Sequence, residues 1–447
     1  MKSFLKYVLT YIVLVVIFLG ALLIVSCIPQ KVIQYNAKKS AVNLIYESEK
    51  VYFRSLGRNL FDDNSSDAIM FNLAYTIDEE NKMESIIKAR RNFIPGITKE
   101  IKPDMVGNLP HENNVFSMTR EFLNTVNDKE QVSYEYARYW HGYIVILRLL
   151  LCVFDISVIR LLTQITILIL ISILMYFLIK NTNWKIAVAL FLAFVAADLF
   201  VWIYTLHGRY VVIVALLISI FIANKKINEK NINIWLFVSG ALTAYFDLLT
   251  TPIFSALLPI VIYTAVNTKD TTIKSEIIRL IKNFAAWGIG YLGLWATKWV
   301  ISDLLYDTEI IKVSLTQIYY RLFGNIKKSN IGIKNFKVLK LNVKTATNYL
   351  TIALYICMFA YAIIKKKRSR KNNMFLSAQK LPYFLCIIIT IAWYLVVSEH
   401  SNRHYFFTYK TMLIPLLSTM LIVLDDKNVN KLLAENNEKK GNRWWLI

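Results

Sequence analysis

The run ISVIRLLTQITILILISILMYFLIK, residues 156–180, decides the architecture. As a helix it is long enough to cross the hydrocarbon of a bilayer, which takes about twenty predominantly apolar residues. It is not alone. Apolar runs at 5–28, 156–179, 184–203, 208–224, 232–248, 252–267, 281–302, 346–364, 381–398 and 411–425 all read as spanning helices. Across the 447 residues 56% are hydrophobic and only 18% are charged. The expected fold is therefore an all-α polytopic membrane protein with about ten transmembrane helices.

Working outward from that run divides the chain. Residues 1–29 form the first transmembrane helix. LIVSC, residues 23–27, has the lettering of a lipoprotein cleavage box. The apolar core is longer than a signal-peptide h-region, and Ile28 and Pro29 make a poor start for a soluble chain, so an uncleaved anchor is expected. Residues 30–155 form a long outer loop, in which KKSAVNLIYESEKVYF, SSDAIMFNLAYTI and SMTREFLNTV have helical apolar spacing. Short helices on the membrane surface are expected there, not an independent β-domain. Residues 156–425 are the transmembrane core of nine helices, with an outer loop at 303–345, and 426–447 are a basic cytoplasmic tail.

The formal charge of +22 sits largely beside apolar runs. Topology and anionic lipid account for it, and no nucleic-acid partner is expected. An amino terminus in the cytoplasm places Lys180, Lys185, NKKINEK, NTKDTTIKSEIIRLIK, KKKRSRK and the tail inside. The exception is the stretch 303–346, which falls outside although it holds Lys327, Lys328, Lys334, Lys337, Lys340 and Lys344. Cys27, Cys152, Cys357 and Cys386 show no ligand spacing. GIGYLG, residues 288–293, matches a dinucleotide fingerprint by letter but lies inside an apolar helix, where Ala286 and Gly290 read as helix packing. The sequon at Asn64 matters only in a eukaryotic secretory route.

With this topology, ionisable residues collect on the outer side: Asp62, Asp63, Asp67, Arg138, His141, Asp198, His207, Arg209, Asp247, Lys298, His400, Arg403, His404 and Lys410. Charges at membrane depth need a partner or a ligand. Arg138, Arg209, Lys298 and Arg403 together suit a phosphate or pyrophosphate, because guanidinium groups grip its oxygens in pairs. A carboxylate among them can take a proton from an incoming hydroxyl. Plainer readings stand beside these. Arg138, His141, Arg209 and Lys410 can snorkel to the headgroups, Asp247 can hold the turn before Pro252, and Asp198 can pair with a buried cation. His400 and His404 have the spacing of metal ligands on a helix but lack the HExxH pattern. Arg148, in YARYWHGYIVILRLL, reads equally as a snorkelling side chain or a lipid-phosphate ligand.

DDNSSDAIMFN, YARYWHGY, YFDLLTTP, GLWATKW and HSNRHYFFTYK resemble the motifs of a group of polytopic membrane proteins of Gram-positive bacteria. One amino-terminal helix, a long outer loop with an acidic residue and many further helices resemble the GT-C class of polyprenyl-phosphate-dependent glycosyltransferases. That resemblance implies an inverting enzyme of the plasma membrane, with both termini cytoplasmic and its active site on the outer face. A sugar would pass from a polyprenyl-phosphate carrier to a surface glycan, teichoic acid or lipid acceptor. It implies Asp67, with Asp63 as understudy, as the base near the anomeric carbon, and Arg138, Arg209, Lys298 and Arg403 as holders of the lipid phosphate. Trp140, His141, His207, Asp247, His400, His404 and Tyr409 are the expected substrate contacts, with Trp140 stacked on the sugar ring. No DxD pair is present, so a divalent cation is an open question. The rival expectations are a transporter or flippase of a lipid-linked saccharide, and a non-catalytic partner in surface-polymer assembly.

Overall fold

The computed structural model describes residues 2–48, 52–61, 63–93, 111–129, 132–224, 227, 231–267, 272–323, 331–368 and 378–424. Asp62 and the tail 426–447 lie outside them. The chain starts with α1 (Lys2–Ser26), a rod whose Ile12, Val13, Val16, Ile17 and Ile24 point outward. Apolar side chains on the outside are what lipid, not water, rewards.

The long loop follows as α2 (Gln30–Ser48), β1 (Tyr52–Ser55), β2 (Arg58–Phe61), α3 (Asn64–Tyr75), α4 (Lys82–Lys88), β3 (Arg90–Phe93), α5 (His111–Val126), β4 (Val132–Glu135) and α6 (Tyr143–Leu151). Its strands form two antiparallel pairs, β1 with β2 and β3 with β4. The described residues of the loop are mostly helical. Amphipathic spacing buries Phe71 of α3 near Phe122 of α5, with ring centroids 6.0 Å apart. The Asn72 carboxamide then acts as a strand edge, donating to the Asn92 carbonyl (3.1 Å) and accepting from the Asn92 amide (3.2 Å). Arg148 has neither of the roles left open for it. It is fully buried and donates to the carbonyls of Val25 (3.0 Å), Ala74 (2.5 Å) and Ile28, tying the end of α1 to the end of α3. Helix ends leave carbonyls without intrahelical partners, and a buried guanidinium with several donors satisfies them at once.

The core comprises α7 (Ile156–Asn181), α8 (Trp184–Ala196), α9 (Arg209–Ala223), α10 (Ile232–Phe246), α11 (Phe254–Val266), α12 (Ile273–Tyr306), α13 (Ile310–Phe323), α14 (Ile331–Ala346), α15 (Tyr349–Arg368), α16 (Leu381–Val396), α17 (Ser398–Arg403), α18 (Tyr405–Thr408) and α19 (Leu413–Leu424). The apolar runs of the sequence fall on helices, except that 184–203 breaks after Ala196, where the chain turns at Asp198 (φ 64°) into a 3-10 turn, Val201–Tyr204. Three segments, Phe4–Ser26, Ile156–Asn181 and Tyr405–Leu424, are long and apolar enough to cross a membrane. The pair Phe336–Ala346 and Tyr349–Lys365 meets the same test only across a 94° bend, and α8, α9, α10, α11 and α16 are shorter apolar helices. The described residues are thus predominantly helical, with apolar helices of membrane-protein character.

Caps set the boundaries. Asp155 starts α7 by accepting from the amides of Ser157 (2.9 Å) and Val158 (3.3 Å), and Asn183 starts α8 in the same way. Helices α10 and α12 meet glycine to glycine. A Cβ on Gly240 would fall onto the Trp287 carbonyl and one on Gly290 onto that of Phe237, so Gly290 of GIGYLG serves packing. At the end of the bundle away from the long loop, Lys365 and Lys380 donate to the Val423 (3.1 Å) and Ile422 (2.7 Å) carbonyls at the end of α19.

Candidate functional site

The other end of the bundle meets the loop, and the residues there fall into three groups. The first is an anchoring layer. Trp140 is fully buried and donates its indole N–H to the Leu294 carbonyl at 2.7 Å, so it has no face for a sugar. His141 holds a left-handed turn (φ 56°) with both ring nitrogens engaged, one with the Tyr143 hydroxyl and one with the Tyr136 carbonyl, each at 2.8 Å. The carbonyl can only accept, so Nε2 carries the proton and Nδ1 accepts from Tyr143. Burial pushes the His141 pKa down to about 3, with Lys298 and Arg138 adding to the effect and the Tyr136 hydrogen bond opposing it. The Lys298 ammonium donates to the Ile86 (3.1 Å) and Ile87 (2.6 Å) carbonyls near the end of α4. Arg138 lies over the Tyr136 ring at 5.3 Å. Trp140 and Lys298 clamp the loop onto α12, as does the Trp299 indole, which donates to the Arg138 carbonyl at 2.9 Å, while His141 ties the loop to itself.

The second group is a knot around Asp67. This carboxylate is fully buried. It accepts from the Leu206 amide (2.8 and 3.0 Å), the His207 amide (3.3 Å), and the Arg160 guanidinium through Nε (2.9 Å) and Nη2 (2.7 Å). Arg160 also bridges to Glu47 and to Asn64 (2.9 Å), so α2, α3 and α7 converge on one guanidinium, and the turn before α9 joins them through Asp67. Five donor contacts fill what two carboxylate oxygens can accept. The expectation of Asp67 as base therefore gives way to a structural counter-ion, because its lone pairs are held by fixed donors. Arg160 was not among the sequence candidates. Its signal was a lone arginine at the start of a spanning run, which needs a partner.

The third group lines two cavities on either side of a 3-10 turn, Tyr409–Met412, and includes buried side-chain nitrogens of His207 and Arg209 without a hydrogen bond among the described residues. A small cavity of about 20 Å³, room for one water, is bounded by Trp202, His207, Arg209, Thr250, Phe407 and Lys410. His207 is 4% exposed, and neither of its ring nitrogens has a hydrogen bond among the described residues. Its Nε2 lies 3.4 Å from Asp63 Oδ2. Asp63 caps α3, accepting from the Ser66 amide (3.2 Å) and hydroxyl (2.7 Å). The Nε of Arg209 is likewise buried without a bond, while its terminal nitrogens serve the Arg160 and Trp202 carbonyls. Lys410 sits over the Trp202 ring at 5.4 Å, within the field of Asp198, Asp63 and Asp67. On the far side of the turn is an apolar cavity of about 280 Å³, walled by Ala193, Ala197, Val343, Ile387, Leu416 and Tyr409. It shares Tyr355 and Thr419 with a groove of about 720 Å³ along α15 and α19, lined by Ile356, Phe359 and Val423. The Tyr409 hydroxyl closes the inner end by donating to Asp198 at 2.8 Å.

Rings connect this group to the HSNRHYFFTYK segment. Centroids run from His400 to His404 (4.7 Å), to Phe407 (5.0 Å) and to His207 (4.7 Å). His400 also bonds Arg321 of α13, a residue not among the sequence candidates. Arg403 is directed away from the cavities, to Glu399 (3.0 Å) and Tyr320. Asp247 accepts from the Thr250 amide (2.9 Å) and hydroxyl, the turn role considered for it. The structure thus brings together Asp63, His207, Arg209, Tyr409 and Lys410, with His400 and His404 one ring away. Arg138, Trp140, His141 and Lys298 stand apart in the anchoring layer, and the four cations expected on one phosphate do not converge. Among the described residues no three His, Cys, Asp or Glu side chains gather as metal ligands. Comparison with protein-family models, curated proteins and solved structures finds no match for this chain.

Proposed function

We propose that this is a polytopic membrane glycosyltransferase of the GT-C kind, crossing the plasma membrane about ten times with both termini in the cytoplasm. It moves a sugar from a polyprenyl phosphate to a glycan, teichoic acid or lipid outside. The observation that supports this most is one juxtaposition. An apolar groove on the bundle surface runs inward to Tyr409, and directly beyond that turn lie the buried His207, Arg209 and Lys410. A long isoprenoid with a charged head calls for that sequence of environments.

In this reading the chain lies along α15 and α19 and its phosphate meets Lys410 and Arg209. His207, backed by Asp63, takes the proton of the acceptor hydroxyl. The acceptor oxygen bonds to the anomeric carbon from the face opposite the phosphate, and the bond from that carbon to the phosphate oxygen breaks. The leaving phosphate keeps the electron pair, and the fixed cations offset its charge. The space beside His207 holds only one water, so the head enters by displacing Phe407, which rides on the short helices α17 and α18.

The test is transfer of labelled hexose or pentose from polyprenyl phosphate to an acceptor in membranes containing the protein. His207→Gln and Asp63→Asn are expected to reduce transfer by about 10²–10⁴-fold at unchanged protein level, the usual contribution of a positioned base. Wild-type rates in both variants would remove the dyad. Absence of transfer by the wild-type protein, with saccharide lipid crossing the bilayer instead, would make it a flippase.

A further inference from the structure

The basic helix that forms the first arm of the bent pair has no part in that chemistry, yet it is built. Helix α14 ends in the 94° bend that leads into α15. Its buried side is Val338 and Asn342. The Asn342 amide donates to the Ser401 carbonyl at 3.1 Å, and its oxygen accepts from the Thr408 hydroxyl at 2.7 Å. The opposite side is exposed and holds Lys337, Lys340 and Lys344. At 100° per residue, Phe336 and Val343 form one edge of that same side, and they are 69% and 45% exposed. Tyr349, at the bend, is 67% exposed.

We infer that α14 is an interfacial helix that docks on anionic phospholipid headgroups. If α15 crosses the bilayer, a 94° bend lays α14 along the surface. Lysines at headgroup level, flanked by apolar side chains that dip among the acyl chains, are the composition such helices use. Each lysine gains from a negatively charged leaflet, and the gain decays within a Debye length. The exposed Phe336 and Val343 favour a lipid surface over a soluble polyanion, which would leave them in water. This explains why lysines accumulate in a segment that charge distribution alone would place inside. The inference rests on α15 crossing the membrane and not on sugar transfer. Through Asn342 the docked helix holds the HSNRHYFFTYK segment.

The experiment uses the full chain with its four cysteines changed to serine, Phe336→Cys labelled with bimane, in nanodiscs whose lipids carry brominated acyl chains. Quenching is expected to be severalfold stronger with phosphatidylglycerol than with phosphatidylcholine alone. The triple variant Lys337→Gln, Lys340→Gln, Lys344→Gln should lose that difference. Raising ionic strength from about 0.05 to 0.5 M should lose it too without any substitution, which covers a variant that folds poorly. Equal quenching in both lipids, no quenching at all, or relief of quenching by soluble polyglycerol phosphate overturns the proposal.

Discussion

Asp63 and Asp67 stand one turn apart at the start of α3, and both are buried. Asp67 is held by the backbone of the turn before α9 and by Arg160. Asp63 faces His207, whose ring nitrogens have no hydrogen bond and which borders a cavity. Two carboxylates with the same burial and the same helix thus differ in what lies beyond them. A buried charge surrounded by fixed donors locks elements together. One that borders an unsatisfied ring and an open space can take part in proton transfer. Neither burial nor position in the chain separates the two cases; the identity of the donors does.

The sharpest way to break that contrast is to remove the counter-ion. Arg160→Leu leaves the Asp67 and Glu47 carboxylates without their cation, and breaking a buried pair from one side costs about 3–5 kcal/mol. The expected outcome is a large drop in melting temperature in detergent, with little folded protein recovered. Asp67→Asn is expected to lower the melting temperature less and to reduce sugar transfer only in proportion to folded protein. Full stability in Arg160→Leu, or lost transfer in well-folded Asp67→Asn, would return Asp67 to the chemistry.

The next effect concerns Arg148. Removing its guanidinium leaves the carbonyls of Val25, Ile28 and Ala74 without this donor. Each unsatisfied buried group costs about 1–3 kcal/mol, so Arg148→Leu is expected to destabilise by about 3 kcal/mol. Arg148→Lys should recover only part of that, since an ammonium cannot reach three divergent carbonyls. Unchanged amide exchange at the end of α1 in Arg148→Leu would show that the clasp holds nothing.

The helical architecture was legible because periodicity and run length act locally. Nearly every apolar run lies on one helix, the run 184–203 breaking at Asp198, and Asp155 and Asn183 cap theirs as short polar residues do. The site was legible only in part. Asp63, His207, Tyr409 and Lys410 were singled out by charge or motif, and they converge. Asp67, Lys298 and Trp140 were singled out for the same reasons and serve structure instead. A sequence shows that a polar group must be satisfied but not by whom. The partners of Asp67 lie 93 residues away at Arg160 and 139 away at Leu206. Arg160 and Arg321 were missed because one arginine in an apolar run and one in a basic loop look alike until the fold supplies Asp67 and His400.

The anchoring layer gives the smallest and most graded effect, and it separates His141 from His207. The native pKa of His141 is pushed to about 3 from an ordinary 6.5. Below pH 6.5 the unfolded chain binds a proton that the folded chain refuses, so stability is full above about 6.5 and declines as pH falls toward about 3. The slope is about 1.4 kcal/mol per pH unit while only the unfolded state is protonated. A melting series between pH 7.5 and 5 is expected to show that decline. His141→Asn should flatten it at the cost of a lower plateau, since its amide replaces only part of the contacts to Tyr136 and Tyr143. If the slope survives in His141→Asn and disappears in His207→Gln, then the proton that matters to stability belongs to the cavity, and the division between anchor and site at this face is misplaced.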